Sequence, residues 1–208
     1  MATFGELQTQ VSSRLKDPNN TSVSASIVAD VLNEALQYWS KKPYWFNEFR
    51  DVVTLTEDDP VLTLTTDAQY VFDTGGITID YANTRWPVKK ITSDEYDRLN
   101  VQGRGIPYAW VYRNGGYELY WYPDAAYTAL VRGIKNYTDL SGDSDTNDFT
   151  INAPDLLRYE ALARLYGEFR QDPKMEAYYA ARATNEHTNL RQATNRLNGS
   201  GEFQVEGF

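Results

Sequence analysis

The feature that most constrains this chain is a change of hydrophobic period at PYWFNEFRDVVTLT, Pro43 to Thr56. Before it, apolar residues recur at helical spacing: Phe4, Leu7, Val11 and Leu15, then Ile27, Val28, Val31, Leu32, Ala35, Leu36 and Trp39. After it they alternate: Val53, Leu55, Val61, Leu62, Leu64, Tyr70, Phe72, Ile77, Ile79 and Tyr81. A period of 3.6 buries one stripe of a helix, whereas a period of 2 buries one face of a strand. One chain therefore carries two kinds of packing. Four aromatic side chains, Tyr44, Trp45, Phe46 and Phe49, crowd the changeover, and the reading assigns them to a joint between the two kinds.

The helical pattern returns near the C-terminus. Thr3 with Glu6 has capping-box spacing and predicts a helix over about 3–16; Pro43 ends a second one. Asn152 with Pro154 opens a third, with Leu156, Leu157, Tyr159, Leu162, Leu165, Tyr166 and Phe169 over a broad face. Pro173 starts a fourth, over about 174–197, with a thin stripe of Met175, Tyr178, Tyr179, Ala183, Leu190, Ala193 and Leu197. A long helix with so narrow a stripe gains little from its own core. Met175, Tyr178, Tyr179, Leu190 and Leu197 are thus expected to meet a neighbouring subunit.

Between the helical halves, Asp58-Asp59-Pro60, Gly75-Gly76 and Asn114-Gly115-Gly116 read as hairpin turns. Thr92 with Glu95 predicts a brief capped helix. The expected fold is α+β: an antiparallel helical bundle of two N-terminal and two C-terminal helices, with an inserted small antiparallel β domain. The boundaries are 1–50 and 150–198 for the bundle, 51–149 for the insert, and 199–208 for a C-terminal tail.

Composition narrows the chemistry. The 208 residues carry no cysteine, so neither a disulfide framework nor a thiolate site is available. A formal charge of −9 argues against a nucleic-acid clamp, which needs clustered Lys and Arg. The first residues lack the basic flank and apolar core of a signal peptide, and no run of about 18 apolar residues occurs, so a protein made in the cytoplasm without a membrane partner is expected. Sixteen Tyr, eight Phe and five Trp point to contact surfaces, because aromatics dominate cores and interfaces.

No motif supplies a catalytic or cofactor site. DSDTND, Asp143 to Asp148, begins like a calcium loop, but Asp148 stands where the turn glycine belongs and Pro154 where the bidentate Glu belongs. His187 has no second histidine, and reads as a surface or subunit-contact residue. GRGIPY, Gly103 to Tyr108, lacks the third glycine of a dinucleotide loop. Glu118, beside Tyr117, Tyr120, Trp121 and Tyr122, leaves open a sugar-binding or wall-degrading alternative. There, alternation would place Glu118, Tyr120 and Tyr122 on one face and Tyr117, Leu119 and Trp121 on the other.

LNEAL (Leu32 to Leu36), WFNEF (Trp45 to Phe49), VVTLT, GIPYAW (Gly105 to Trp110), ELYWYPD (Glu118 to Asp124) and LLRYEALARLYGEF (Leu156 to Phe169), in that order, resemble the head-to-tail adaptor proteins of short-tailed phages. These include the adaptor beneath the portal and the related tail tubular protein. The resemblance implies a structural virion protein without enzymatic activity or cofactor. It implies a homo-oligomeric ring, typically of twelve copies, docked on the portal protein and leading double-stranded DNA toward the tail proteins. It also implies that the helices form the ring wall, the β insert reaches toward the tail nozzle, and the C-terminal segment engages the portal. Phe203, Val205 and Phe208 are the candidates for that portal contact, although the tail is short for the family.

Overall fold

The computed structural model describes residues 2–17, 19, 21–99 and 103–199. It divides into two compact units: Met1–Asn47 with Tyr137–Phe208, and Glu48–Asn136.

In the first unit, α1 (Phe4–Arg14) begins at a capping box: the Thr3 hydroxyl accepts from the Glu6 N–H at 3.2 Å, and the Glu6 carboxylate accepts from the Thr3 N–H at 3.0 Å. Phe4, Leu7 and Val11 form its buried stripe. Asp17 then ties the end of this segment to the next one, accepting from the Thr21 hydroxyl and the Thr21, Ser22 and Val23 amides. Those donors, the Thr21 hydroxyl foremost, hold its carboxyl far below the usual carboxylate range.

Ser24 caps α2 (Ala25–Ser40), whose buried Val28, Val31, Leu32, Ala35, Leu36 and Trp39 make a full helical stripe. Further on, Asn147 caps the short α4 (Asp148–Asn152), α5 (Pro154–Glu168) follows from Pro at its first position, and Asp172 caps α6 (Pro173–Leu197). One continuous core joins α1, α2, α4, α5 and α6 through Phe4, Leu36, Phe149, Leu156, Leu162 and Tyr179.

This unit takes in Tyr137–Phe149, which the sequence pattern grouped with the β insert. Side chains of α2 explain why. Asn33 donates to the Leu140 carbonyl and accepts from the Leu140 amide at 3.0 and 2.9 Å, while Gln37 donates to the Tyr137 carbonyl at 2.8 Å. Two amides, each suited to pairing with extended backbone, hold that segment on the helix.

The second unit is a sheet built around its last strand. Strand β8 (Thr128–Lys135) pairs antiparallel with β1 (Glu48–Thr54) on one side, and with β3 (Ala68–Val71) and β4 (Ile77–Tyr81) end to end on the other. Beyond β4 come β5 (Thr84–Lys90), β6 (Ala109–Arg113), β7 (Gly116–Tyr120) and β2 (Val61–Leu62), and α3 (Ser93–Arg98) carries the capping box of Thr92 and Glu95. Phe49, Ile77, Ile79, Trp110, Leu119, Ala129 and Val131 fill the core.

Three features depart from the expected insert. The sheet is not wholly antiparallel: β5 and β6 run parallel, with Lys89 opposite Ala109 and Lys90 opposite Trp110. Asp58-Asp59-Pro60 and Gly75-Gly76 are not hairpin turns. The first joins β1 to β2, which pair with different strands, and the second carries the chain from β3 to β4 along the same side of β8. Gly76 is needed there because a Cβ would stand 1.9 Å from the Phe72 carbonyl oxygen. The true hairpin after β4 turns on Ala82 and Asn83, both at positive φ. Asn114 and Gly115 do form the expected turn, at φ of 52° and 77°.

Candidate assembly surfaces

The aromatic changeover is divided between the two cores. Tyr44 and Phe46 are buried in the helical unit with rings stacked 5.3 Å apart, and both meet Phe149 edge-on. Trp45 is half-buried against Phe46, and its backbone N–H donates to the Thr194 hydroxyl on α6 at 3.2 Å. Buried Asn47 accepts from the Tyr44 amide and donates to the Ser40 and Lys42 carbonyls, locking the turn after α2. Phe49 lies in the β core. Three of the four side chains therefore serve the helical unit, and the chain leaves it between Asn47 and Glu48.

His187 is held from within the chain more than its sequence setting implied. It sits half-buried on α6, its Nδ1 2.8 Å from the Tyr44 hydroxyl and its ring 4.9 Å from that of Trp39. Burial lowers its pKa, with Lys42 and Arg191 adding to the effect. Burial likewise pushes the Tyr44 hydroxyl up, so both groups are neutral in the folded protein at neutral pH. Nothing in the sequence links His187 to Tyr44, because the pairing joins residues 143 positions apart.

The final helix uses more of its stripe internally than its composition implied. Tyr179 and Leu190 are buried in the core of their own unit, where they pack against its other helices. Tyr179 faces Tyr166 of α5 with rings 5.5 Å apart. Met175 is half-buried against the same core. Only Tyr178 and Leu197 stand open, at 48% and 66% exposure. The sequence pattern did not single out Arg182, whose guanidinium lies over Tyr159 and Tyr178, 5.5 and 5.1 Å from the ring centroids. An i, i+4 step from Tyr178 to Arg182 was the available signal. Phe203, Val205 and Phe208 lie outside the described residues.

The acidic loop and the Glu118 region are both committed internally. Asp145 accepts from the Ser141 and Gly142 amides, and the Asp143 and Asp145 carbonyls accept from Gly5 and Phe4 at the start of α1. Among the described residues, no group of three or more His, Cys, Asp or Glu could hold a metal ion.

Glu118 accepts from Arg113 at 2.6 Å, and Arg113 also reaches Asp97. Tyr117 and Tyr120 are buried on opposite sides of β7, in two different clusters. Trp121 has φ of 39° and covers Gly103, where a Cβ would come within 2.5 Å of the indole nitrogen. The aromatic run thus supplies packing on both faces in place of one binding platform.

No described helix is long and apolar enough to cross a membrane. No curated protein matches the chain. The family of the SU10 adaptor protein matches it over residues 2–204, nearly its whole length. The matched span takes in both the helical core and the sheet, and the chain belongs to the SU10 adaptor protein family, whose members are structural phage proteins.

Proposed function

We infer that this protein is a ring-forming head-to-tail adaptor of a virion, docking on the portal protein and connecting it to the tail. Membership of the adaptor family over residues 2–204 carries the reading. Two features support it. Tyr178 and Leu197 remain exposed toward opposite ends of α6, with half-buried Met175 one turn from Tyr178, and can be covered by a neighbouring subunit. The apolar Phe203, Val205 and Phe208 of an otherwise polar segment suit a portal contact, where burial of each would contribute about 1.5 to 3 kcal/mol.

A ring of chains each carrying −9 repels phosphates, so DNA passes through it without being held. The sugar-binding alternative gains no support, since Glu118 is engaged by Arg113.

The test is native mass measurement of the protein alone and mixed with its portal ring. A complex with several adaptor copies per portal ring is expected. Failure to associate at physiological salt rejects the reading.

A further inference from the structure

Strand β1 closes one end of the sheet, and its outer side has no strand beside it among the described residues. The pairing register fixes which backbone groups are open there. The Leu55 N–H donates to the Tyr127 carbonyl, continuing the register in which Thr54 faces Thr128. In an antiparallel ladder, alternate residues turn their N–H and C=O toward the partner. Phe49, Asp51 and Val53 therefore point theirs at β8, and Arg50, Val52 and Thr54 point theirs outward. Arg132, opposite Arg50, agrees: its N–H donates away from β1, to Gly76 at 2.7 Å, and its carbonyl accepts from Phe72.

Two further observations say what the edge accepts. Arg50 and Arg132 are directly opposed and both exposed, a like-charge pair that destabilises a sheet unless an anion lies near. Glu48 reaches Arg132 only at 3.7 Å, and no ion pair to Arg50 is found among the described residues. Beside the arginines, Val52 is 63% exposed and Val53 half-buried at the margin of the β core. An incoming strand that fits carries carboxylates on the Arg50 face and apolar side chains on the Val53 face.

The chain itself carries such a segment outside the described residues: Glu202-Phe203-Gln204-Val205-Glu206. Its five residues match the five of Arg50–Thr54 and alternate with strand period. Laid antiparallel with Gln204 opposite Val52, it sets Glu206 opposite Arg50, Glu202 opposite Thr54, Phe203 opposite Val53 and Val205 opposite Asp51.

We propose that in the free protein Glu202–Glu206 of one copy adds as a strand to the open edge of β1 in a second copy. The inference rests on the adaptor reading in assigning that segment to the portal afterwards. The β1 edge then shelters Phe203 and Val205 until the portal displaces them. Main-chain hydrogen bonds supply the affinity and the alternate side chains the register, as in other strand additions.

The experiment is residue-resolved amide hydrogen exchange on the full chain, at low and high protein concentration, with sedimentation to follow association. The amides of Arg50, Val52 and Thr54 should exchange at least about tenfold more slowly when concentrated. Gln204→Pro removes the N–H that would meet the Val52 carbonyl and should abolish the protection. Arg50→Glu should abolish it too, and Arg50→Glu with Glu206→Arg should restore it.

Equal exchange at all concentrations overturns the proposal. So does protection that survives Gln204→Pro, which would mean that β1 pairs with something other than the tail. Protection without portal binding would instead defeat only the adaptor reading, and portal binding without protection only this inference.

Discussion

The two units solve the same problem of covering apolar surface in opposite ways. In the helical unit, neighbouring helices cover one another, and among the described residues only Tyr38, Phe169, Tyr178 and Leu197 stand out as exposed large apolar side chains. The sheet exposes Val52, Val61, Tyr81, Trp86, Tyr108, Tyr112 and Trp121, in fewer residues. The thin stripe of α6 suggested that contact surface would concentrate on the last helix. Exposed apolar side chains are spread instead over the sheet, where edges and alternating faces leave them without cover within the chain.

That contrast can be broken most directly in the cores. Phe149→Ala should cost about 3 to 5 kcal/mol in urea unfolding, because the ring is fully buried against Tyr44, Phe46 and Tyr137. A cost under about 1 kcal/mol would show that the helical unit is not tightly packed.

In the sheet the comparable anchor is polar. Asp51 accepts from both the amides and the hydroxyls of Thr65 and Thr66. Asp51→Ala should cost about 2 kcal/mol by stranding those donors. Although burial alone would raise it, those hydrogen bonds hold the Asp51 pKa below its ordinary value. Its contribution is therefore complete above the unfolded carboxylate pKa of about 4 and fades as pH falls below it. Acid titration of stability in Asp51→Asn should lack that component.

His187 gives the helical unit a pH dependence in a higher window. Its folded pKa is depressed, so the unfolded state binds the proton first and stability falls as pH drops below about 6.5. Thermal melts between pH 7.5 and 5 should show this decline in the native protein and a flatter profile in His187→Gln.

The smallest effect should come from the surface. Tyr178→Ser and Leu197→Ser should change chain stability by no more than about 0.5 kcal/mol. Any loss of ring assembly in those variants then reports the contact and not the fold.

Legibility followed the range of the interactions. The capping boxes at Thr3 and Thr92 and the Asn114-Gly115 turn are local devices, and each stands where the sequence places it. β5 escaped because Pro87 and three basic residues interrupt its alternation; Pro87 sits opposite Thr78 within the strand. The pairing of β1 with β8 joins residues some eighty positions apart, and nothing in either strand names its partner. His187 was misplaced for the same reason: a half-polar ring on a polar helix looks external until Trp39 and Tyr44 are brought beside it. Among the surface candidates, Tyr178 and Leu197 could be told from Tyr179 and Leu190 only once α5 was in place.

The interrupted helical unit also imposes an order on biosynthesis. Val28, Leu32, Leu36 and Trp39 leave the ribosome early, yet Leu156 and Leu162, which share their core, come only after the whole segment Glu48–Asn136. At about 5 to 20 residues per second, the nascent α2 waits on the order of ten seconds for its cover. During that interval the sheet can close as soon as β8 emerges, so the insert completes its fold before the helical core is closed.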